Sequence, residues 1–412
     1  MKRVPLVAIL PLFAAACAGE PVHKSPGAGA GGEGGAGGDS GGGGGGSAGT
    51  MTKPDAMAPE RDTGGGAPAD AAADGGAPSA GGADCTAAGP GSLLCNTLRP
   101  LPKTIKETGL FPGAPDFSKR PASLHEYLPD PPLWSDGLEK QRFLLLPEGS
   151  KIDNSDGKRW VFPVGTVFIK TFFDEGGAGG KTRPVETRFL RRIAGADAFV
   201  EYDYAVYQWN ADGTDASLLD IEGKRTPVTI TVKALGAPFA HDIPSRSDCG
   251  DCHKANAKVA STFIGFDETR LNSRLTAGAP KTQLEDLAAL FSAAPPAKPA
   301  EILDPDPRLQ RIKRFVFGNC VHCHNGSRVV DLHPELLVTN TVGKMADASG
   351  ITPPAGWLRV VPGKPEMSIL FVETRRTMLP AGLKPMPPVG VAVAQQEVVT
   401  DLKAWITALP AK

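Results

Sequence analysis

The sequence predicts an α+β multidomain chain: an N-terminal antiparallel β sandwich or barrel domain over 98–245, followed by an α-helical domain over 301–412. Three observations predict it. Between 98 and 245 the apolar residues fall in short, often alternating runs separated by Gly, Asp and Asn, which is the period of half-buried strands. From 301 onward the apolar residues recur at spacings of three and four, the period of a helix face. Ahead of both lies a tract so rich in glycine that it has almost nothing to bury.

The N-terminus carries Lys2 and Arg3, an apolar stretch from Val4 to Phe13, and then Ala14-Ala15-Ala16-Cys17, the layout of an export signal ending in small residues. The small residues followed by cysteine resemble the lipobox of bacterial lipoproteins. That resemblance implies a signal segment over 1–17 and a lipidated Cys17; the alternative is an ordinary signal peptide cut near Ala16 or Ala18. The apolar stretch is too short to span a bilayer, so attachment to a membrane is expected through lipid alone. Residues 18–84 form a linker, and Pro26 to Gly82 holds 22 of the chain's 50 glycines, a density that predicts disorder. As a flexible coil, about 65 such residues reach on the order of 45 Å, enough to hold a folded head away from a membrane surface. Cys85 and Cys95 flank Gly89-Pro90-Gly91 and suit a disulfide-closed loop over 85–97 in an oxidising compartment, with the folded part starting near Leu98.

In the β half, strands are expected at Gln141 to Leu146, Trp160 to Phe173, Pro184 to Arg192, Ala198 to Trp209 and Thr226 to Val232. Asp174 to Gly180 and Asn210-Ala211-Asp212-Gly213 read as hairpin tips. In the helical half, helices are expected at Leu284 to Phe291, at Asp306 to Phe317 with Pro307 in its first turn, and at Ala394 to Leu409, where Val398, Leu402, Trp405, Ile406 and Leu409 share a face. The charge balance gives no sign of a nucleic-acid partner, and none is expected, because 44 Lys and Arg against 45 Asp and Glu leave a net charge of −1 and no basic run stands out.

The chemistry is concentrated in two pentapeptides, Cys249-Gly250-Asp251-Cys252-His253 and Cys320-Val321-His322-Cys323-His324. C-x-x-C-H is the spacing at which c-type haem is attached: two thiols one helical turn apart meet the two vinyl groups of one porphyrin, and the following imidazole ligates the iron. Zinc knuckles and thioredoxin-like pairs also use C-x-x-C, but neither needs a histidine next to it in both copies. The expected cofactors are two covalently bound haem c groups, held by Cys249, Cys252, Cys320 and Cys323 with His253 and His324 on the irons. The first haem segment spans 246–300.

A helix entering C-x-x-C-H, a proline-rich methionine loop and a terminal amphipathic helix resemble the class I cytochrome c domain, over about Pro307 to Lys412. That resemblance implies a distal methionine, and Pro385-Met386-Pro387-Pro388, 62 positions after His324, is the expected source. Flanking prolines hold the backbone extended and present the thioether at low entropic cost. Met378 ahead of Leu379-Pro380 is the rival, and Met386 as a core filler is the remaining alternative. His322, inside its own motif, is expected at the surface or beside a propionate. Pro362 to Ser368 reads as a turn and helix cap.

No methionine lies between His253 and Met345, so the first haem has either no sixth protein ligand or one of His125, His241 and His333. Phe162 to Lys170 with a downstream strand bearing Tyr202, Tyr204 and Tyr207 and then C-x-x-C-H resembles the lysine-cross-linked monohaem cytochromes. In those a β fold encloses a c-haem with an open distal face, and by position Lys170 corresponds to the linking lysine. From about Gly109 the chain also looks like a family of secreted dihaem c-type cytochromes. The residues that carry this are Pro132-Leu133-Trp134-Ser135-Asp136, Asp242-Ile243-Pro244-Ser245 and Asn319 to Asn325.

Two classes of function follow. One is electron transfer in the bacterial cell envelope, periplasm or outer membrane, with envelope redox proteins as partners. The other is a haem enzyme of the peroxidase or hydroxylamine/nitric-oxide type, with the first haem as active site and the second as relay.

Overall fold

The computed structural model describes residues 82–157, 160–194, 201–253, 263–327, 329–346 and 353–410. The signal segment, Cys17 and the glycine tract up to residue 81 lie outside the described residues. The fold is α+β. After a short helix α1 (Gly82–Ala88), six strands follow one another: β1 (Leu124–Glu126), β2 (Glu139–Leu145), β3 (Val167–Asp174), β4 (Arg183–Ala194), β5 (Glu201–Trp209) and β6 (Ala216–Leu218). They form one antiparallel sheet in sequence order, and β7 (Thr226–Ile230) and β8 (Phe239–Ile243) form a separate antiparallel pair. Among the described strands, β1 and β6 stand at the two ends of the sheet, with residues 103–105 paired along the outer side of β6, and the sheet is covered by helices and irregular chain on its two faces instead of by a second large sheet.

Period-two alternation builds both faces. Phe143 of β2, Ile169 of β3, Phe189 of β4 and Ala205 of β5 stand side by side in register and pack under Leu93, Leu94, Ile105, Leu110 and Phe111. The core therefore begins before Leu98. Cys85 and Cys95 are joined as a disulfide with Cα atoms 4.6 Å apart, and the two leucines that the loop brings in are fully buried. On the opposite face Leu144, Phe168 and Leu190 meet Tyr127, Trp160, Phe162, Phe263, Phe266 and Phe291. Phe168 and Phe263 stack with ring centroids 4.1 Å apart.

The helical half begins with α2 (Arg246–His253), then the short helices α3 (Glu268–Leu271) and α4 (Gln283–Asp286), and the longer α5 (Pro307–Asn319). Helix α5 starts where expected, because Asp306 accepts a hydrogen bond from the Arg308 N–H at 2.8 Å and Pro307 occupies the first turn. After α6 (Leu337–Thr341) and α7 (Ile369–Arg375), the terminal helix α8 (Gln396–Ala408) buries Val398, Val399, Leu402, Trp405 and Ile406 against α5. Arg311 of α5 holds Asp401 of α8 through two hydrogen bonds of 2.7 and 2.8 Å. Pro365–Met367 is a single 3-10 turn, and Ser368 caps the segment by accepting from the Val361 N–H at 2.8 Å and donating to Lys364 O at 2.9 Å. No described helix is long and apolar enough to cross a membrane.

The Pro132-Leu133-Trp134-Ser135-Asp136 segment fastens the two halves together. The Trp134 N–H donates to Asn319 Oδ1 at 2.7 Å and its indole N–H to Val393 O at 2.8 Å. Asp136 Oδ1 accepts from the Ala392 and Val393 N–H groups at 2.7 and 3.0 Å. Gly318, two residues before Cys320, lies so close to this segment that a Cβ would stand 2.8 Å from Pro132 O and 3.2 Å from Pro131 O. In an exposed helix Gly→Ala stabilises by up to about 1 kcal/mol. Here Gly318→Ala is expected to destabilise by about 1–3 kcal/mol, since backbone must move to admit the methyl. Urea unfolding checks the sign, and a stabilised variant contradicts the close approach.

Candidate cofactor site

The first motif rides on α2. Ser245 precedes that helix; its Oγ accepts from the Asp248 N–H at 3.4 Å and its own N–H donates to Asp248 Oδ2 at 2.9 Å, so the two residues close a capping box with aspartate at its third position. Arg225 grips the Asp248 carboxylate at 2.8 and 2.6 Å, and this pairing holds the carboxyl well below the usual range. The expected Asp242-Ile243-Pro244-Ser245 motif thereby fixes where Cys249, Cys252 and His253 emerge. His253 stands 6.1 Å from Tyr204 of β5, ring centroid to ring centroid.

The second motif continues the end of α5 as turns. The Cys320 N–H donates to Val316 O at 2.8 Å, and those of Cys323 and His324 donate to Cys320 O at 3.0 and 2.8 Å. Both motifs open onto one cavity of about 380 Å³, within the range of small-molecule sites. Cys249, Cys252, His253, Cys320, Cys323, His324 and Met386 all line it. The rest of the wall is largely apolar, from Leu133, Phe168, Leu190, Phe263, Ile264 and Val329.

One atom each of Cys252, His322 and Cys323 lies within 4.8 Å of the others. A hydrogen bond between the two thiols holds Cys323 below and Cys252 above the ordinary cysteine value. Burial pushes Cys320 up to about 12 and raises Cys249 as well. His322, expected at the surface or beside a propionate, lines the cavity and lies beside Cys252 of the other motif. The donors present are thiols beside imidazoles on an apolar wall, a set that suits thioether attachment and axial ligation of haem; three of them also make an incomplete zinc set.

The methionines separate cleanly. Met386 lines the cavity, and its N–H is fixed by a 3.0 Å bond to Glu373 O, whereas Met378 is 80 % exposed. Arg376 anchors the proline loop by donating to Pro387 O at 2.6 Å.

Neither His125, His241 nor His333 lines the cavity. His125 sits on the edge strand β1 opposite Leu144. His333 Nδ1 is 2.7 Å from Asp331. His241 is fully buried with Nδ1 3.0 Å from Asp136 and Nε2 3.1 Å from Glu186, so both ring nitrogens are engaged. Burial alone depresses its pKa, but the two carboxylates outweigh it and hold the imidazole above the ordinary histidine value.

Lys170 of β3 lines the cavity, as does Tyr204. Tyr207 does not: it lies on the other face of β5, and its hydroxyl donates to Pro102 O at 2.7 Å. Tyr202 packs edge-on against Phe263 outside the lining. The parity of the strand could have separated 204 from 207 in the sequence. Arg142 and Arg188 were not anticipated; they line the cavity from β2 and β4 and look in the sequence like ordinary strand charges.

Comparison with protein-family models, with curated proteins and with solved structures returns no match.

Proposed function

We propose that this chain is an exported dihaem c-type cytochrome, lipid-anchored through Cys17 in the bacterial cell envelope, whose 301–412 half is a cytochrome c-like domain. The observation that carries this reading is the convergence of both C-x-x-C-H motifs and Met386 on a single cavity. When bound, haem supplies a one-electron Fe(III)/Fe(II) couple. The chain's part is to attach it through Cys249 and Cys252 on α2 and through Cys320 and Cys323 after α5. His253 and His324 supply the proximal nitrogens and Met386 the sulfur for the second site. The shared cavity supports electron passage between the two sites and on to envelope redox partners.

A second reading is favoured by a separate observation. None of the three histidines proposed for the first haem lines the cavity, and Met386 is the one methionine in the lining. That supports an open first site, with Tyr204 beside His253 and Lys170 in the same lining, and a haem enzyme of the peroxidase or hydroxylamine/nitric-oxide type.

A pyridine haemochrome assay with metal analysis tests the main reading. Two haems per chain are expected. One should be lost in Cys249→Ala/Cys252→Ala and the other in Cys320→Ala/Cys323→Ala. Stoichiometric zinc without haem would overturn the reading and assign Cys252, His322 and Cys323 to a metal knuckle. Carbon monoxide binding at one reduced haem per chain selects the second reading, and binding at neither selects plain electron transfer.

A further inference from the structure

Three basic residues form a row across the sheet. Arg142 of β2 is in register with Lys170 of β3, and Lys170 with Arg188 of β4. Side chains in one register row of a pleated sheet share a face, and all three line the cavity. Lys170 Nζ and Arg188 Cζ lie 4.6 and 4.4 Å from the centroid of the same Phe172 ring.

Like charges directly opposite one another destabilise a sheet, and removal from water raises that cost. One carboxylate, Glu186, already offsets the Arg188 end of the row, and Arg142 and Lys170 are left without one. Glu186 takes two bonds from Arg188, at 2.8 and 2.5 Å, and a third contact from His241. Arg142 is 4 % exposed, and its Nη1 is buried with no hydrogen-bond partner. Among the described residues no carboxylate lies within ion-pair distance of Arg142 or Lys170. Arg142, with one N–H lacking an acceptor, and the partly exposed Lys170 and Arg188 together offer a position where an anion gains charge-assisted bonds, provided the Arg142 side chain shifts to meet it.

We propose that the Arg142–Lys170–Arg188 row is an oxyanion site in the cavity wall, which takes a carboxylate or a small inorganic oxyanion. The ligand comes from one of two sources: a haem propionate, a case that rests on the function proposed above, or an anion from solution. Burial and the neighbouring Arg142, Lys140 and Arg188 hold the Lys170 ammonium well below the ordinary lysine value, as expected of a cation whose anion is supplied by a ligand.

The test uses the full-length protein as isolated, in chloride buffer, with Lys170→Met, Arg142→Gln and the charge-keeping Lys170→Arg. Lys170→Met replaces a half-buried cation, which has no carboxylate within ion-pair distance among the described residues, by an apolar chain of similar length, so the fold is expected to survive. Calorimetric titration with sodium sulfate, nitrite and acetate reads the solution source. Binding at one site per chain, weakened about tenfold or more in Lys170→Met and Arg142→Gln and restored in Lys170→Arg, supports it. The propionate source gives no salt binding. Instead, carboxylate bands in the reduced-minus-oxidised infrared difference spectrum of protein carrying 13C-propionate haem shift in the two neutral variants and return in Lys170→Arg. Neither response in a haem-loaded chain overturns the oxyanion site and leaves the haem reading intact. Salt binding by a chain without haem keeps the site and overturns the haem reading. No salt binding by a haem-free chain overturns both.

Discussion

His241→Ala is expected to lower the free energy of unfolding by about 3–5 kcal/mol, because it leaves two buried carboxylates facing each other without the imidazolium between them. Asp136, Glu186 and His241 are each fully buried, so water cannot replace the lost partner. The pH dependence has two limbs. His241 titrates higher in the folded chain than in the unfolded one, so its contribution is complete below about pH 6.5 and is lost as pH rises through its folded value. For Glu186, burial opposes ionisation but the charge of Arg188 outweighs it, and the carboxyl is lowered to about 2. Its contribution is therefore complete above its unfolded value and is lost as pH falls toward 2. Urea unfolding of wild type and His241→Ala at several pH values reads both limbs. The alkaline limb should vanish in the variant. A loss below about 1 kcal/mol with an unchanged alkaline limb would show that the triad is not charged as described.

On the haem reading proposed above, Met386→Ala is expected to remove the near-infrared methionine-to-iron charge-transfer band and to lower the potential of one haem by on the order of 0.1 V or more, since a weaker or water ligand favours ferric iron. The position is prepared on both sides. Met386 faces the cavity that holds His324, its N–H is tied to Glu373 O, and the following prolines are anchored through Arg376. Met378→Ala should leave both haems unchanged, because that side chain is 80 % exposed. Potentiometric titration with near-infrared spectra separates the two; the reverse pattern would move the ligand to Met378.

Local chemistry was legible in the sequence, and its assembly was not. Asp306-Pro307 marks the start of α5 because capping and proline geometry act within one turn, and Asn210 to Gly213 marks a hairpin because turn preferences are equally local. The strands β2 to β5 follow from alternation. The edge strands β1 and β6 are three residues each, too short to display a period. An alternating strand has one apolar face to bury, and composition alone does not say what buries it. The expected sandwich or barrel would cover that face with more strands, where the chain uses residues 93–117 on one face and, on the other, Tyr127, Trp160, Phe162 and apolar residues of 263–291. In the site, cysteines, histidines and Met386 carry their own signature. Arg142 and Arg188 do not, because an arginine in a strand reads as solvated until the register sets it beside Lys170. His241 was a reasonable ligand candidate by residue type alone; its two carboxylate partners are 105 and 55 positions away.

The strand order has a consequence for how the molecule assembles. Every strand of the large sheet pairs with its sequence neighbour, so little loop-closure entropy opposes pairing once residues 124–218 are available. The contacts that roof the cavity span far more chain: 185 residues separate Trp134 from Asn319, and 257 separate Asp136 from Val393. The local pairings of the sheet are therefore expected to form ahead of these long-range contacts. On the haem reading proposed above, that order would leave the four motif thiols open to attachment until the contacts across the cavity close.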